Sequence, residues 1–363
     1  MFFYTVMKTP IVYLPFMIVL YLSCSPRPQS PADIHTDLSN NKILQLSELF
    51  DGIRYIPLET PDTALIANVQ SVTYHNGRYY LIAENTLYVF NRHGQYLSQH
   101  NNRGRGANEY SSIFKVKSSI GDSVLYVSGD NGKGHIVMAY DKNGNYLKTL
   151  IQNRSFNMEF NVLENGIIIS DGRTVSLYDK QGKLENEIRI SPFDSISFGT
   201  SNYLSDFSSQ EVIFSCPGSD TLYFLGKSGI TRKISLDYGH NQSPEQFKKS
   251  LSKPITFPYF HNFISLGKTV LDLIVIDQKQ YMIQLDLTHR TATVCDTLVN
   301  DIDHTIPYIP REIVQNQGLM VLPAPVFFHF IQPEQLAAIP ALRNLTEDAN
   351  PVIVVLNLKS SSL

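Results

Sequence analysis

Val137-Met138-Ala139-Tyr140, then Asp141-Lys142-Asn143-Gly144, then Asn145-Tyr146-Leu147 is the stretch that decides the fold. An alternating apolar strand enters a four-residue turn and a second strand leaves it. Asp at the first turn position caps a type I turn through its side chain. Gly at the fourth tolerates the left-handed conformation that closes a bulged hairpin. The pattern recurs upstream as Leu87 to Phe90, Asn91-Arg92-His93-Gly94 and Gln95 to Leu97, and downstream as Val175 to Tyr178, Asp179-Lys180-Gln181-Gly182 and Lys183-Leu184. A fourth copy, Thr221 to Phe224 before Gly226-Lys227-Ser228-Gly229, departs further from it. Divergent copies follow at Tyr281 to Asp286 before Thr293-Val294, and at Val352 to Leu356.

A lone hairpin is barely stable in water, so the repeats imply stacked units. The repeated glycines are spaced by about 50, 38 and 47 residues, close to the four-stranded period of propeller blades. Roughly 310 residues at about 50 per blade give an all-β, six-bladed β-propeller with four-stranded antiparallel blades, seven blades being the alternative. A β-sandwich would need only about half as many strands. Composition agrees, with 20 Tyr, 20 Phe and no Trp favouring pleated, half-buried surfaces. Short helices are expected from Ser243-Pro244 to about Leu251 and from Pro333 to Ile339, stopped by Pro340.

The N-terminus reads as an address. Lys8 precedes the apolar run Ile11 to Leu22, which ends at Ser23-Cys24. A charged residue, about a dozen apolar residues and a small residue before the cut describe a secretory signal peptide, too short to span a membrane. Cys24 after Leu22-Ser23 resembles a lipobox, whose thiol is acylated to become the mature N-terminus. Residues 1–23 are thus read as a lipoprotein signal peptide, 24–44 as the lipidated Cys and its Pro/Ser-rich tether, and 45–363 as the propeller. Surface-exported lipoproteins of the bacterial group described below carry acidic residues just after this Cys. Ser25 to Pro31 contains Arg27 and no acid, which favours outer-membrane attachment facing the periplasm.

The chemistry legible along the chain is thin. Net charge is −3 without basic runs, which excludes the electrostatic footprint of a nucleic-acid binder. With Cys24 assigned to lipid, Cys216 and Cys295 remain, each in a strand-like run and read as buried free thiols rather than a disulfide. No Cys/His set has zinc spacing and no cofactor motif is present. Gly129 to Gly134 lacks the Walker spacing and reads as a polar hairpin tip. Asp141, Asn143 and Asn145 alternate like calcium ligands but lack the distal Glu, so they read as turn residues. His329, in the aromatic run Val326 to Phe330, reads as a core histidine on a strand. Asp-Ser/Thr-apolar triplets such as Asp62-Thr63-Ala64 resemble bacterial O-glycosylation acceptors. Arg103, Arg105, Glu109 and Tyr110 form the one candidate loop. Two guanidinium groups could meet an anion there, or the glycines could simply carry the chain between blades while Glu109 or Tyr110 bonds within the sheet.

Three stretches carry a family likeness. Leu46 to Phe50 leads into Ile53-Arg54-Tyr55-Ile56-Pro57-Leu58-Glu59-Thr60; Arg103-Gly104-Arg105-Gly106-Ala107-Asn108-Glu109-Tyr110 follows the first hairpin; Asp348-Ala349-Asn350-Pro351 leads the last strand. The chain resembles the six-bladed β-propeller lipoproteins of Bacteroides-type bacteria, akin to NHL and TolB-like propellers, with Ala107-Asn108 replacing the usual Pro-Gly. The resemblance implies ring closure, the strand around Arg54 to Ile56 pairing into the blade that holds Val352 to Leu356. It implies no settled activity. With HExxH and GxSxG also absent, the expected function is a non-enzymatic, lipid-anchored module binding a protein, peptide or glycan. The alternative is a lactonase- or lyase-like enzyme using the central channel on sugar or cell-wall material, since such sites draw residues from several blades.

Overall fold

The repeated hairpins are the outer halves of blades. The computed structural model describes residues 32–39, 41–106, 108–119, 121, 123–155, 158–190, 204–215, 219–238, 261–276 and 279–359. Three N-terminal strands, β1 (Ile34–His35), β2 (Asn41–Gln45) and β3 (Phe50–Pro57), precede the first complete blade. Blade 1 is β4 (Val69–His75), β5 (Arg78–Ala83), β6 (Thr86–Asn91) and β7 (Tyr96–His100). Blade 2 is β8 (Ser112–Ser118), β9 (Val124–Asp130), β10 (His135–Asp141) and β11 (Tyr146–Asn153). Blade 3 is β12 (Glu159–Leu163), β13 (Gly166–Ser170), β14 (Thr174–Tyr178) and β15 (Leu184–Arg189). Blade 4 is β16 (Leu204–Asp206), β17 (Val212–Ser215), β18 (Thr221–Gly226) and β19 (Gly229–Asp237). Blade 5 is β20 (His261–Leu266), β21 (Thr269–Ile276), β22 (Lys279–Asp286) and β23 (Thr291–Val299). Blade 6 is β24 (Glu312–Val314), β25 (Gln317–Leu322) and β26 (Val352–Leu358), completed by β3. The six-bladed expectation holds.

Ring closure follows the expected register. Arg54, Tyr55 and Ile56 lie opposite Val355, Val354 and Ile353 in antiparallel pairing. The N-terminal strand thus supplies the outer edge of the last blade, removing one free sheet edge and tying the two ends of the propeller together. Asn350 locks this seam. Its side-chain oxygen accepts the Ile66 N–H at 2.7 Å, and its amide donates to the carbonyls of Glu59 (2.7 Å) and Ala64 (2.8 Å). This buried amide, which opens the Asn-Pro stretch, satisfies polar groups that burial would otherwise leave unpaired.

The turns work as their chemistry requires. Asn91, Asp141 and Asp179 each accept two backbone N–H groups through one side-chain oxygen at 2.8–3.0 Å. A bulge follows in each hairpin. The fourth copy differs because Gly226 pairs directly with Gly229 around a two-residue loop. In the fifth, Asp286 caps the turn and Arg290 takes the left-handed position with φ +56°. Blades then stack through apolar faces, as where Tyr80, Ile82 and Val89 of blade 1 meet Ile113, Val127 and Met138 of blade 2.

Two expectations are corrected. Residues 34–44, read as tether, belong to the propeller: β1 adds in parallel to the edge of β19 and β2 to that of β23, giving blades 4 and 5 a fifth strand. Ile34, Leu44 and Leu46 are fully buried, and Asp33 bonds to the backbone and side chain of Ser235, so hydrophobic burial outweighs chain freedom here. His329 is an exposed residue on a helix, not a core residue on a strand. The helix α1 (Ala324–Phe330) starts with a proline at its first turn, and Phe327 and Ile331, four residues apart, bury the same side. A second helix, α2 (Pro333–Ala338), lies where one was expected. The expected helix at 243–251 and Cys216 lie outside the described residues. Cys295 is a buried free thiol whose pKa burial pushes up.

Candidate functional site in the axial channel

The first strands of the six blades, β4, β8, β12, β16, β20 and β24, neighbour one another around the axis. These strands begin at the end of the channel reached by the long connections between blades, and finish at the end bearing the tight hairpin turns. A cavity of about 560 Å³ lies at the connection end and is lined from all six blades. A smaller one of about 160 Å³, rich in Ser and Thr side chains such as Thr73, Ser118 and Ser265, lies at the turn end. Lys117 and Asp206 line both. They form the waist that separates the two.

That waist is an ion-pair network drawn from four blades. Lys117 Nζ donates to Asp206 Oδ2 at 2.5 Å and also to Glu312 Oε2. Lys115 Nζ lies 3.3 Å from Glu159 Oε2 and 3.9 Å from Glu312 Oε1, so Glu312 joins the two lysines. The Lys117 side chain is only 5% exposed. Burial alone would lower its pKa, but Asp206 and Glu312 overcome that and hold the ammonium above its ordinary value. Burial likewise works against ionised Asp206, and Lys117 outweighs it, keeping the carboxylate below its ordinary range. No ammonium or carboxylate of the network is free.

Backbone irregularities aim further side chains into the larger cavity. The β4–β5 ladder skips Gln70 and the β8–β9 ladder skips Phe114, so both are bulge residues on neighbouring inner strands. Bulges re-aim side chains in this way. Both line the cavity, and Phe114 is 42% exposed despite its size. On the other side of Gln70, blade 6 contributes Arg311 from the residues just before β24. The connection leading there is pinned by Asp303, which accepts Tyr55 Oη at 2.6 Å and Asn300 Nδ2 at 2.6 Å. Burial, then Tyr308 and the bond to Asp303, raise the Tyr55 pKa, so this hydroxyl stays a donor. Arg311, Gln70 and Phe114 therefore form an arc across blades 6, 1 and 2. None of these three side chains bonds to another described residue. The cavity lining contains no His or Cys, and among the described residues no group of His, Cys, Asp and Glu is arranged to hold a metal.

The loop singled out from sequence lies at the same end, connecting β7 to β8. Tyr110 is 1% exposed, donates to the Asn85 carbonyl at 2.8 Å and accepts the Asn102 N–H at 3.1 Å. Glu109 accepts the Gly106 N–H at 2.6 Å, and Gly104 packs on the same carboxylate. Arg103 and Arg105 are exposed and make no side-chain bond to another described residue. None of the four lines the axial cavity. Lys115, Lys117, Glu159, Asp206 and Glu312 carry no linear motif; their common signal is a charged residue on the first strand of a blade, visible only once the blades are counted.

A solved protein of Bacteroides fragilis, named as exported, superposes with a TM-score of 0.64 at 16% identity, covering 90% of this chain and 98% of that one. Virginiamycin B lyase of Staphylococcus aureus gives a TM-score of 0.44 at 11% identity over 70% of this chain and 76% of its own. A protein of unknown function from Bacteroides caccae gives 0.42 at 10% identity, over 68% and 98%. These likenesses concern the fold alone. No curated protein matches the chain. Residues 31–357 match the family described as "Domain of unknown function (DUF4934)", beginning just before β1 and ending within β26, and the chain belongs to that family.

Proposed function

We propose that the protein is a lipid-anchored, extracytoplasmic binding module that holds its ligand in the connection-end cavity without transforming it. The observation that carries this reading is the state of the channel's charged groups: every carboxylate and lysine at the waist is committed to an ion pair. General acid–base catalysis needs a carboxyl, imidazole or amine free to exchange a proton near neutral pH. Ion pairing pushes Asp206 and Lys117 away from that range. A rigid, mutually satisfied wall instead suits recognition by a preorganised surface. To test it, the purified full chain is incubated with an envelope fraction. A component should be retained, recovered with its mass unchanged, and lost on competition by the free protein. Release of a chemically altered product would overturn the reading.

Anchoring rests on Lys8, the run Ile11 to Leu22 and Leu22-Ser23-Cys24, supported by the name of the Bacteroides fragilis protein as exported. The anchor is placed in the outer membrane facing the periplasm, because Ser25 to Pro31 has Arg27 and no acidic residue. Cys24→Ala should move the protein from the membrane to the soluble fraction of lysed cells, since each buried lipid CH₂ contributes about 0.8 kcal/mol to attachment. A variant that still sediments with membranes would remove the lipid from the proposal.

A further inference from the structure

We infer that the cavity's ligand is an uncharged carbohydrate, seated with one ring face on Phe114 and its hydroxyls on Gln70 and Arg311. The inference rests on the binding reading above and adds the ligand's chemical class.

Charge comes first. The lining holds three acids, Glu159, Asp206 and Glu312, and three bases, Lys115, Lys117 and Arg311. The cavity is balanced overall but divided: the paired network has one carboxylate in excess, and the compensating cation, Arg311, stands apart at the arc. An anion drawn to Arg311 meets the excess carboxylate, and a cation drawn to the network meets Arg311. A neutral ligand pays neither cost.

The chemistry of the wall favours a sugar. Pockets for apolar small molecules are lined mostly by hydrophobic and aromatic side chains with few polar groups. Here charged and amide side chains reach in from blades 1, 2, 3, 4 and 6 between apolar residues, and of the three phenylalanines in the wall Phe160 and Phe263 are buried while Phe114 is turned inward and exposed by a bulge. A sugar presents the complementary surface, with closely spaced hydroxyls that donate and accept, and a C–H face that packs on an aromatic ring. Arg311 offers a fork of donors, and Gln70 offers both a donor and an acceptor. Ion pairing holds the network's lysines and carboxylates in place, so further hydrogen bonds to a ligand require little reordering.

The experiment is an array of neutral and uronic-acid oligosaccharides probed with the full chain, followed by calorimetric titration of any retained sugar. A neutral oligosaccharide should bind, with affinity unchanged between about 0.05 M and about 0.5 M salt, since screening acts on charged ligands. Phe114→Ala should weaken binding by about ten-fold or more through loss of the ring contact. Phe330→Ala, which removes an exposed ring on α1 outside the cavity, should not. Thermal unfolding of both variants checks that they fold, and Arg311→Gln provides a second weakened variant if Phe114→Ala does not. Binding of uronic-acid sugars with strong salt dependence, of no sugar at all, or equally by both cavity variants overturns the inference. An envelope component retained unaltered alongside a blank array leaves the binding module standing and removes only the carbohydrate.

Discussion

Gly94→Ala is expected to lower stability by about 3–5 kcal/mol, and Gly77→Ala by only about 1 kcal/mol, although both glycines have positive φ. Gly94 (φ +82°) closes the blade 1 outer hairpin, and Gly77 (φ +76°) closes the β4–β5 turn. A side chain at Gly77 would meet nothing within 4 Å, so only the left-handed conformation is penalised. At Gly94 a methyl group would overlap the Pro57 carbonyl oxygen and press on the Ile56 side chain, both on the closing strand β3. That backbone cannot yield. Leu58 N–H bonds to the Pro351 carbonyl, Glu59 N–H to Gly94 itself, and Asn350 holds the Glu59 carbonyl. Equilibrium denaturation of the two variants decides the matter. Equal losses would mean that conformation alone, not the contact across the seam, fixes the glycine.

The same close approach recurs around part of the ring. Gly144 of blade 2 packs on His100 of blade 1, and Gly182 of blade 3 on the Leu150 carbonyl of blade 2. The turn glycine therefore has two duties, one local and one between blades. Only the first is readable from a single hairpin, because the second depends on which outer strand lies alongside.

That distinction sets how much of the molecule the sequence discloses. The hairpins were legible because Asn91, Asp141 and Asp179 act on residues two and four positions away, within the same short stretch. Blade count followed from their spacing, and closure through Arg54 to Ile56 from a resemblance rather than from pattern. The strands β1 and β2 were hidden because they are short and add in parallel to existing edges, while the Pro/Ser-rich stretch before them suggested continued tether. The run around His329 misled because aromatic residues favour strands, whereas the proline in the first turn and the packing of Phe327 and Ile331 select a helix. The channel was the least legible part. Its groups come from strands that begin dozens of residues apart, and Gln70 and Phe114 reach it only through bulges. Arg103 and Arg105 drew attention as a local cluster, yet neither lines the cavity.

Lys117→Met should cost about 3–5 kcal/mol at neutral pH, with a deficit that shrinks on acidification. Methionine keeps much of the side-chain bulk but leaves Asp206 and Glu312 in the waist without their shared ammonium, Glu312 retaining only the longer contact to Lys115. In the native protein the Asp206 pKa is lowered, so its contribution is present above the ordinary carboxylate value and lost as pH falls through the folded one. The Lys117 pKa is raised, so its contribution is present below the ordinary lysine value and lost as pH rises through the folded one. Wild-type thus keeps the pair intact across the mildly acidic to mildly alkaline range. The variant reverses the acid limb, because without Lys117 the two carboxylates repel, at least one pKa rises, and protonation relieves the buried charge. Denaturation at about pH 8 and about pH 5 should show a smaller gap between wild-type and variant at the lower pH. Adding Asp206→Asn to Lys117→Met should restore part of the loss at the higher pH, since it deletes one of the stranded charges. A gap that is the same at both pH values, with no recovery in the double variant, would mean that Lys117 acts through packing alone. The waist would then be a steric plug, and ion pairing would not be what holds its carboxylates out of proton transfer.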